Sequence, residues 1–165
     1  MITRKLGLAG NLTLSQNKIQ EFTEYVDEFD ASFNYLGQRE IVHENTDLAF
    51  TPNMIASGAI NYEPIDGLMF QWMSKYVGDQ YLDNTMNETR KMDAYFISNI
   101  RVQYEINDVV FKKITIGLLV NNVFDHMYEN NGYTWGYIYD NYRVTENFYY
   151  PQAGRNFLAR IALDL

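Results

Sequence analysis

From Arg155 to Leu165 the chain alternates: Phe157, Ala159, Ile161, Leu163 and Leu165 fall on one parity, Arg160 and Asp164 on the other. Successive side chains of a β-strand point to opposite faces, so this spacing gives one strand an apolar face and a charged face. The same period recurs upstream. Leu6, Leu8, Leu12 and Leu14 alternate with Lys5, Gly7, Ala9, Asn11 and Thr13, a strand expected to run on towards Phe22. Met54, Ala56, Gly58, Ile60 and Tyr62 oppose Ile55, Ser57, Ala59, Asn61 and Glu63. Pro64-Ile65-Asp66-Gly67 reads as a tight turn, with proline early and glycine last. After it Leu68, Phe70, Trp72 and Tyr76 oppose Gln71, Lys75 and Asp79. Residues 94–106 and 114–124 continue the pattern, the first with Phe96, Ile100, Val102, Tyr104 and Ile106 against Asn99, Arg101, Gln103 and Glu105.

Six strands are therefore expected, and their charges obey one rule. Lys5, Glu63, Lys75, Arg101, Glu105, Arg160 and Asp164 all lie on the polar parity. The connections also obey a rule, since they alternate long and short. Residues 27–53 read as a long loop ended by Pro52, with short strand pieces at Ile41 and Val42 or at Leu48 to Phe50. Residues 78–93 read as a second loop and 107–113 as a short turn. Residues 125–154 form a long aromatic loop. Outer-membrane barrels have this arrangement, lipid outside, polar lumen inside, long loops at one end and short turns at the other. The expected fold is all-β: an antiparallel up-and-down transmembrane β-barrel segment of about six strands. A soluble sandwich or lipocalin-like barrel also has period-two strands, but it does not demand the alternation of connections.

Composition agrees with the barrel. Tyrosine (14) and phenylalanine (10) are heavily used, yet mean hydropathy is −0.34, because only every second strand residue must face lipid. No run of about 18 apolar residues exists, so no transmembrane helix is expected. Met1 to Gly10 contains Arg4 and Lys5, but alternation rather than a signal-type apolar core follows. The chain accordingly reads as a portion of an exported protein. Cysteine is absent, which removes disulfides and thiolate metal sites. The net charge of −8 lacks the basic footprint that nucleic-acid binding needs. The acidic clusters fit outward loops and ordinary solubility charge equally well.

No catalytic or metal-binding constellation is present in the sequence. His43 and His126 are isolated, and Asp125-His126 suits turn chemistry better than a catalytic pair. The candidate binding residues are Tyr133, Trp135, Tyr137, Tyr139 and Tyr142, set among Glu129, Asp140 and Glu146. Their rings could stack on a planar ligand. The reading favoured over it is a β-hairpin above the membrane in which alternate tyrosines pack across strands, and the two readings are compatible. A second aromatic and acidic stretch, Tyr25 to Tyr35, would join the same mouth.

Val120-Asn121-Asn122-Val123-Phe124-Asp125, followed by Tyr128, resembles the "v-x-N-l-F-D-x-x-Y" signature on the penultimate barrel strand of TonB-dependent outer-membrane receptors. Tyr149-Tyr150-Pro151-Gln152-Ala153-Gly154-Arg155-Asn156-Phe157 resembles the "y-P-x-p-G-R-n-f" leading into their last strand. The resemblance implies that residues 1–165 are the C-terminal portion of such a receptor barrel, without its plug domain. It implies a non-enzymatic Gram-negative receptor in the outer membrane that imports a scarce ligand, most commonly a ferric siderophore, with cobalamin, haem and oligosaccharide also open. The implied partners are outer-membrane lipid, the plug and remaining strands, TonB through the N-terminal part, and the small-molecule ligand. No cofactor is implied. Asn122, Phe124, Asp125, Tyr128, Pro151, Gly154, Arg155 and Phe157 are expected to mark barrel closure: Asn122 and Asp125 by bonding turn backbone, Phe124 and Tyr128 at the membrane interface, Gly154 by permitting a bend, and Pro151 by ending strand pairing.

Overall fold

The computed structural model describes residues 5–107 and 110–165, which contain strands and turns and no helix. In chain order the strands are β1 (Leu6–Leu14), β2 (Lys18–Phe29), β3 (Tyr35–Asp47), β4 (Met54–Ile65), β5 (Leu68–Val77) and β6 (Gln80–Tyr81). Then follow β7 (Lys91–Met92), β8 (Tyr95–Asn107), β9 (Lys113–Asn121), β10 (Glu129–Tyr139), β11 (Tyr142–Pro151) and β12 (Asn156–Asp164).

Six of them form one antiparallel sheet, ordered β1-β4-β5-β8-β9-β12. Each strand lies beside the next member in sequence, so the sheet is an up-and-down meander, and it is open at β1 and β12. These are the six strands expected from the alternation. Register explains why the parity rule holds across the whole sheet. Leu8, Ile60, Trp72, Ile100, Val120 and Phe157 are successive cross-strand partners. Tyr62, Phe70, Val102, Leu118 and Ala159 form the next row. Because pairing preserves the face, one side of the sheet is apolar from edge to edge. The other side carries Asn61, Gln71 and Arg101 in one row, with Gln71 Nε2 donating to Asn61 Oδ1 at 2.7 Å. Lys113 lies 3.8 Å from Glu105 and 3.9 Å from Asp164 on that same side.

No other strand among the described residues packs over the apolar face. Ile60 sits in a strand flanked on both sides and is still 47% exposed, and Ile161 is 72% exposed. The fully buried apolar residues lie elsewhere. Val26, Val77, Leu82, Met92, Tyr95 and Ile138 collect at the long-loop end of the sheet.

At the short-turn end β4 and β5 are joined by Asp66-Gly67, with Ile65 opposite Leu68. Gly67 has φ +82°, and a Cβ there would lie 2.6 Å from the Glu105 carbonyl oxygen. Only glycine satisfies both conditions. The expected turn over 107–113 includes residues 108 and 109, which lie outside the described residues.

The long connections differ from expectation. The first strand stops at Leu14 instead of running to Phe22, and Lys18 begins β2 in a different sheet. Residues 27–53 are not an irregular loop, since they hold the end of β2 and all of β3. Ile41 and Val42 are inside β3, whereas Leu48 to Phe50 are not in a strand. Residues 78–93 contain the two-residue ribbon β6-β7, and residues 125–154 contain the hairpin β10-β11. The two hairpins then join, giving a second sheet in the order β11-β10-β2-β3. The seam is parallel and short, pairing Ile138 with Glu28 and Tyr139 with Phe29. Long loops reaching beyond a sheet have unpaired backbone groups, and pairing with one another satisfies them.

Candidate functional site

The long-loop end is anchored where β9 stops. Asn122 is 4% exposed and adopts φ +49°, a left-handed conformation that asparagine tolerates well. Its amide nitrogen donates to the His126 carbonyl at 2.8 Å and its Oδ1 accepts from His126 N at 3.0 Å. This closes a tight turn and ends β9 at Asn121, before the expected Phe124. Asp125 Oδ1 accepts from the Arg155 backbone nitrogen at 2.6 Å, and the Arg155 side chain lies 3.7 Å from Asp125 Oδ2. Phe124 is exposed and leans on Trp72, on the apolar side of the main sheet, with ring centroids 6.1 Å apart. Tyr128 packs at 4.5 Å against the buried Tyr95. Pro151 is the last residue of β11 and pairs with Glu129. Gly154 is required by space: a Cβ would come within 2.8 Å of Asp125 Oδ1. Residues on both sides of the 125–154 excursion thus meet at its base, and Phe157 begins the outer row of β12 just beyond.

The hairpin turn is Asp140-Asn141, both with positive φ (45° and 66°), the backbone of a two-residue type I′ connection. It sets the register in which Tyr133 faces Phe148, Trp135 faces Glu146, Tyr137 faces Val144 and Tyr139 faces Tyr142. The five aromatic residues singled out in the sequence therefore share one face. Tyr133 stacks on Phe148 at 4.8 Å, and Trp135 meets Tyr137 at 5.2 Å. The row continues into the other hairpin, where Phe29 meets Tyr137 edge-on at 5.9 Å and Phe33 stacks on Tyr139 at 4.4 Å. The stretch from Tyr25 to Tyr35 does reach the same place, through Phe29 and Phe33. Trp135 and Tyr142 stay more than half exposed.

The opposite face of this sheet covers the 78–93 segment. Asn147 Nδ2 donates to the Thr89 carbonyl at 2.6 Å and Tyr149 OH donates to the Lys91 carbonyl at 3.1 Å. Gly136 and Gly132 allow the close pairing here, since a Cβ on either would meet a β11 carbonyl at about 2.5 Å. In the same layer lies a charge cluster that sequence reasoning missed. Glu24 of β2 accepts from Arg143 (2.5 Å), Arg90 (3.0 Å) and His43 (3.1 Å). Arg90, 4% exposed, also donates to Asp83 Oδ2 at 2.7 Å. Burial opposes ionisation of Glu24, but the hydrogen bonds from Arg143, Arg90 and His43 outweigh it and hold the carboxyl down at about 2. Burial likewise works against the Arg90 charge, and its bonds to Asp83 and Glu24 overcome that and stabilise the cation. A single carboxylate thus ties β2, β3, β11 and the 78–93 segment together. The signal was present as alternation: Arg39, Ile41 and His43 on one parity of β3, Glu24, Val26 and Glu28 on one parity of β2. It does not stand out in the sequence, because the acids, amides and aromatics of 27–53 resemble an irregular loop. Among the described residues no three acidic, histidine or cysteine side chains are placed to hold a metal ion.

No protein-family profile matches the chain. Solved structures do resemble it. The siderophore receptor PiuA from Acinetobacter baumannii superposes with a TM-score of 0.67 at 15% identity, over 97% of this chain and 20% of the receptor. The ferric-catecholate import receptor Fiu from E. coli K12, in its closed form, gives 0.57 at 17% identity, over 96% and 18%. The ferric citrate transporter FecA, unliganded, gives 0.52 at 18% identity, over 74% and 18%. The chain spans about a fifth of the length of these receptors. At such identities the likeness concerns fold, and the fold shown is an open, antiparallel, all-β sector of the barrel that these receptors build.

Proposed function

We propose that the chain is the C-terminal sector of the barrel of a TonB-dependent outer-membrane receptor, a non-enzymatic importer whose ligand is a ferric siderophore. The observation that carries this reading is the uncovered apolar face of the main sheet, continuous across six strands. Such a face needs lipid or a second layer, and an exposed patch of this extent is foreign to a soluble monomer. The long-loop end is then extracellular and the short-turn end periplasmic. Among the described residues no further strand lies beside β1 or β12, and lipid cannot satisfy the backbone of such edges. The remaining strands, the plug and the TonB-contacting segment belong to the rest of the receptor, since barrels of this class have about 22 strands around a plugged lumen. The siderophore assignment is supported by what PiuA and Fiu are described as receiving, and the aromatic row from Tyr133 to Tyr142 offers flat surfaces for a planar chelate. Cobalamin, haem and oligosaccharide are the competing ligands.

The test is the size and location of the native polypeptide, followed with an antibody to residues 150–165 on fractionated cells. A band several times heavier than 19.4 kDa in the outer membrane is expected. A band at 19.4 kDa in a soluble fraction would overturn the reading in favour of a soluble all-β binding or structural domain.

A further inference from the structure

On the polar side of the main sheet two arginines have no partner. Arg101 of β8 and Arg160 of β12 are exposed, and neither side chain makes an ion pair or hydrogen bond among the described residues. The acids at the short-turn end of that face are already engaged. Lys113 lies against Glu105 and Asp164, and Glu105 also accepts from Gln103 Nε2 at 3.0 Å. Gly117 of β9 lies between the arginines. Cross-strand pairing sets Gln103, Gly117 and Arg160 in one row, and Arg101, Leu119 and Leu158 in the next. These residues ring a hollow of about 180 Å³, open where Gly117 has no side chain. A glycine inside a strand marks either a distortion of the strand or a place where a ligand or another backbone comes close. The ladder here is undistorted. Pairing runs without a register shift on both sides of Gly117, and its φ is not positive. Packing within the chain does not demand the glycine either, since a Cβ would meet nothing closer than 3.9 Å.

From this we infer that the hollow is a docking socket for an aspartate or glutamate side chain of a polypeptide segment packed on the polar face. Its carboxylate lies between Arg101 and Arg160, and its aliphatic stem lies against Leu119 and Leu158. Guanidinium forks on separate strands suit such a carboxylate. Charge also fixes the chemistry of the occupant. A segment without an acid would take two guanidinium groups out of water unpaired, which is costly, and a carboxylate removes that cost. The inference rests on the import reading, in which the polar face lines a lumen filled by the rest of the receptor. It adds that the filling segment presents an acid at this point.

The experiment uses the native outer-membrane polypeptide, purified whole in neutral detergent and carrying Arg160→Lys. The substitution keeps the cation and supplies an amine, which a carbodiimide joins as an amide to a carboxylate in contact with it. Peptide mapping by mass spectrometry is the readout, with links from Lys113 to Glu105 and Asp164 as internal controls. Position 160 is expected to link to an aspartate or glutamate outside residues 1–165. Adding Gly117→Leu, which fills the hollow, should lower the yield of that link about tenfold and leave the Lys113 links unchanged. Three results would each overturn the inference: links from position 160 confined to Glu105 or Asp164, no link while the Lys113 links form, or a yield indifferent to Gly117→Leu. Calorimetric binding of citrate that Arg160→Gln abolishes, with no link formed, would give the hollow to a small soluble anion instead. A long polypeptide without the link sinks the socket alone, whereas a native polypeptide of 19.4 kDa sinks the receptor reading and the socket with it.

Discussion

Gly154 stands where the Asp125 carboxylate leaves no room for a Cβ, and that carboxylate holds the backbone of Arg155. Gly154→Ala must push the two apart, and the loss of a charge-assisted bond should cost on the order of 2 kcal/mol. Gly117→Ala is the matched control, since its Cβ would meet nothing closer than 3.9 Å. Thermal melts in detergent should show a lower Tm for the first and little change for the second. Glu24 sets a pH dependence. Its folded carboxyl is depressed to about 2 from an ordinary 4.5, so its stabilisation is complete above about 4.5 and fades as pH falls towards 2. Melts between pH 6 and 2.5 should therefore slope downwards on acidification, roughly in that window, and Glu24→Gln should flatten the slope. An unchanged slope would mean that other carboxylates govern the acid response. Both effects rest on contacts between residues far apart in sequence.

At the scale of strands, the alternation makes a sharp distinction between neighbours. Ile161 and Arg160 are adjacent in β12 but face opposite sides, Ile161 with Ile116 in the apolar row and Arg160 with Gly117 on the polar side. Ile161→Asp puts a carboxylate on the apolar face and should weaken insertion into lipid, at a cost somewhat below the about 2–4 kcal/mol of a lysine or arginine at mid-membrane. Arg160→Ser should insert normally. Heat-modifiable migration on gels from a membrane preparation distinguishes them, and equal behaviour of the two variants would refute the assignment of faces. Strands of the main sheet were legible because each carries its own two-residue period. The motif around Asn122 was legible too, although the strand ends there and not at Phe124, since the buried side chain folds the backbone back on itself. Gly154 is needed for its lack of volume beside Asp125, and Tyr128 packs on Tyr95.

For the whole molecule, two sheets with different solvents meet at one end. The main sheet keeps its apolar side uncovered, while the loop sheet buries Val26 and Ile138 and the 78–93 segment buries Leu82 and Met92. On the reading proposed above, the chain alone should require detergent to stay dispersed, because it exposes both that face and, among the described residues, two sheet edges with no strand beside them. A monodisperse monomer in plain buffer, seen by light scattering, would contradict this. The hairpins should outlast small perturbations of the barrel, since their pairing across Glu24 and the aromatic row is independent of lipid.

The amino-acid sequence by itself determined which residues face which solvent in six strands, because period-two patterning is local and each strand states it separately. It also put Tyr133, Trp135, Tyr137 and Tyr139 on one parity for the same reason, whereas Tyr142, at an even position, joins their face only because the two-residue turn pairs it with Tyr139. Tertiary structure alone decided that the two long connections are strands of one shared sheet, that Phe29 and Phe33 extend the aromatic row, and that Arg39, Arg90 and Arg143 surround one cavity. Those arginines lie on three different segments: the parallel seam between Ile138 and Glu28 joins the hairpins that carry Arg39 and Arg143, and the bonds of Asn147 and Tyr149 to the 78–93 backbone set Arg90 beside them. Pairing between distant segments is set by backbone geometry and by the charges that meet there, and no periodicity within either segment records it.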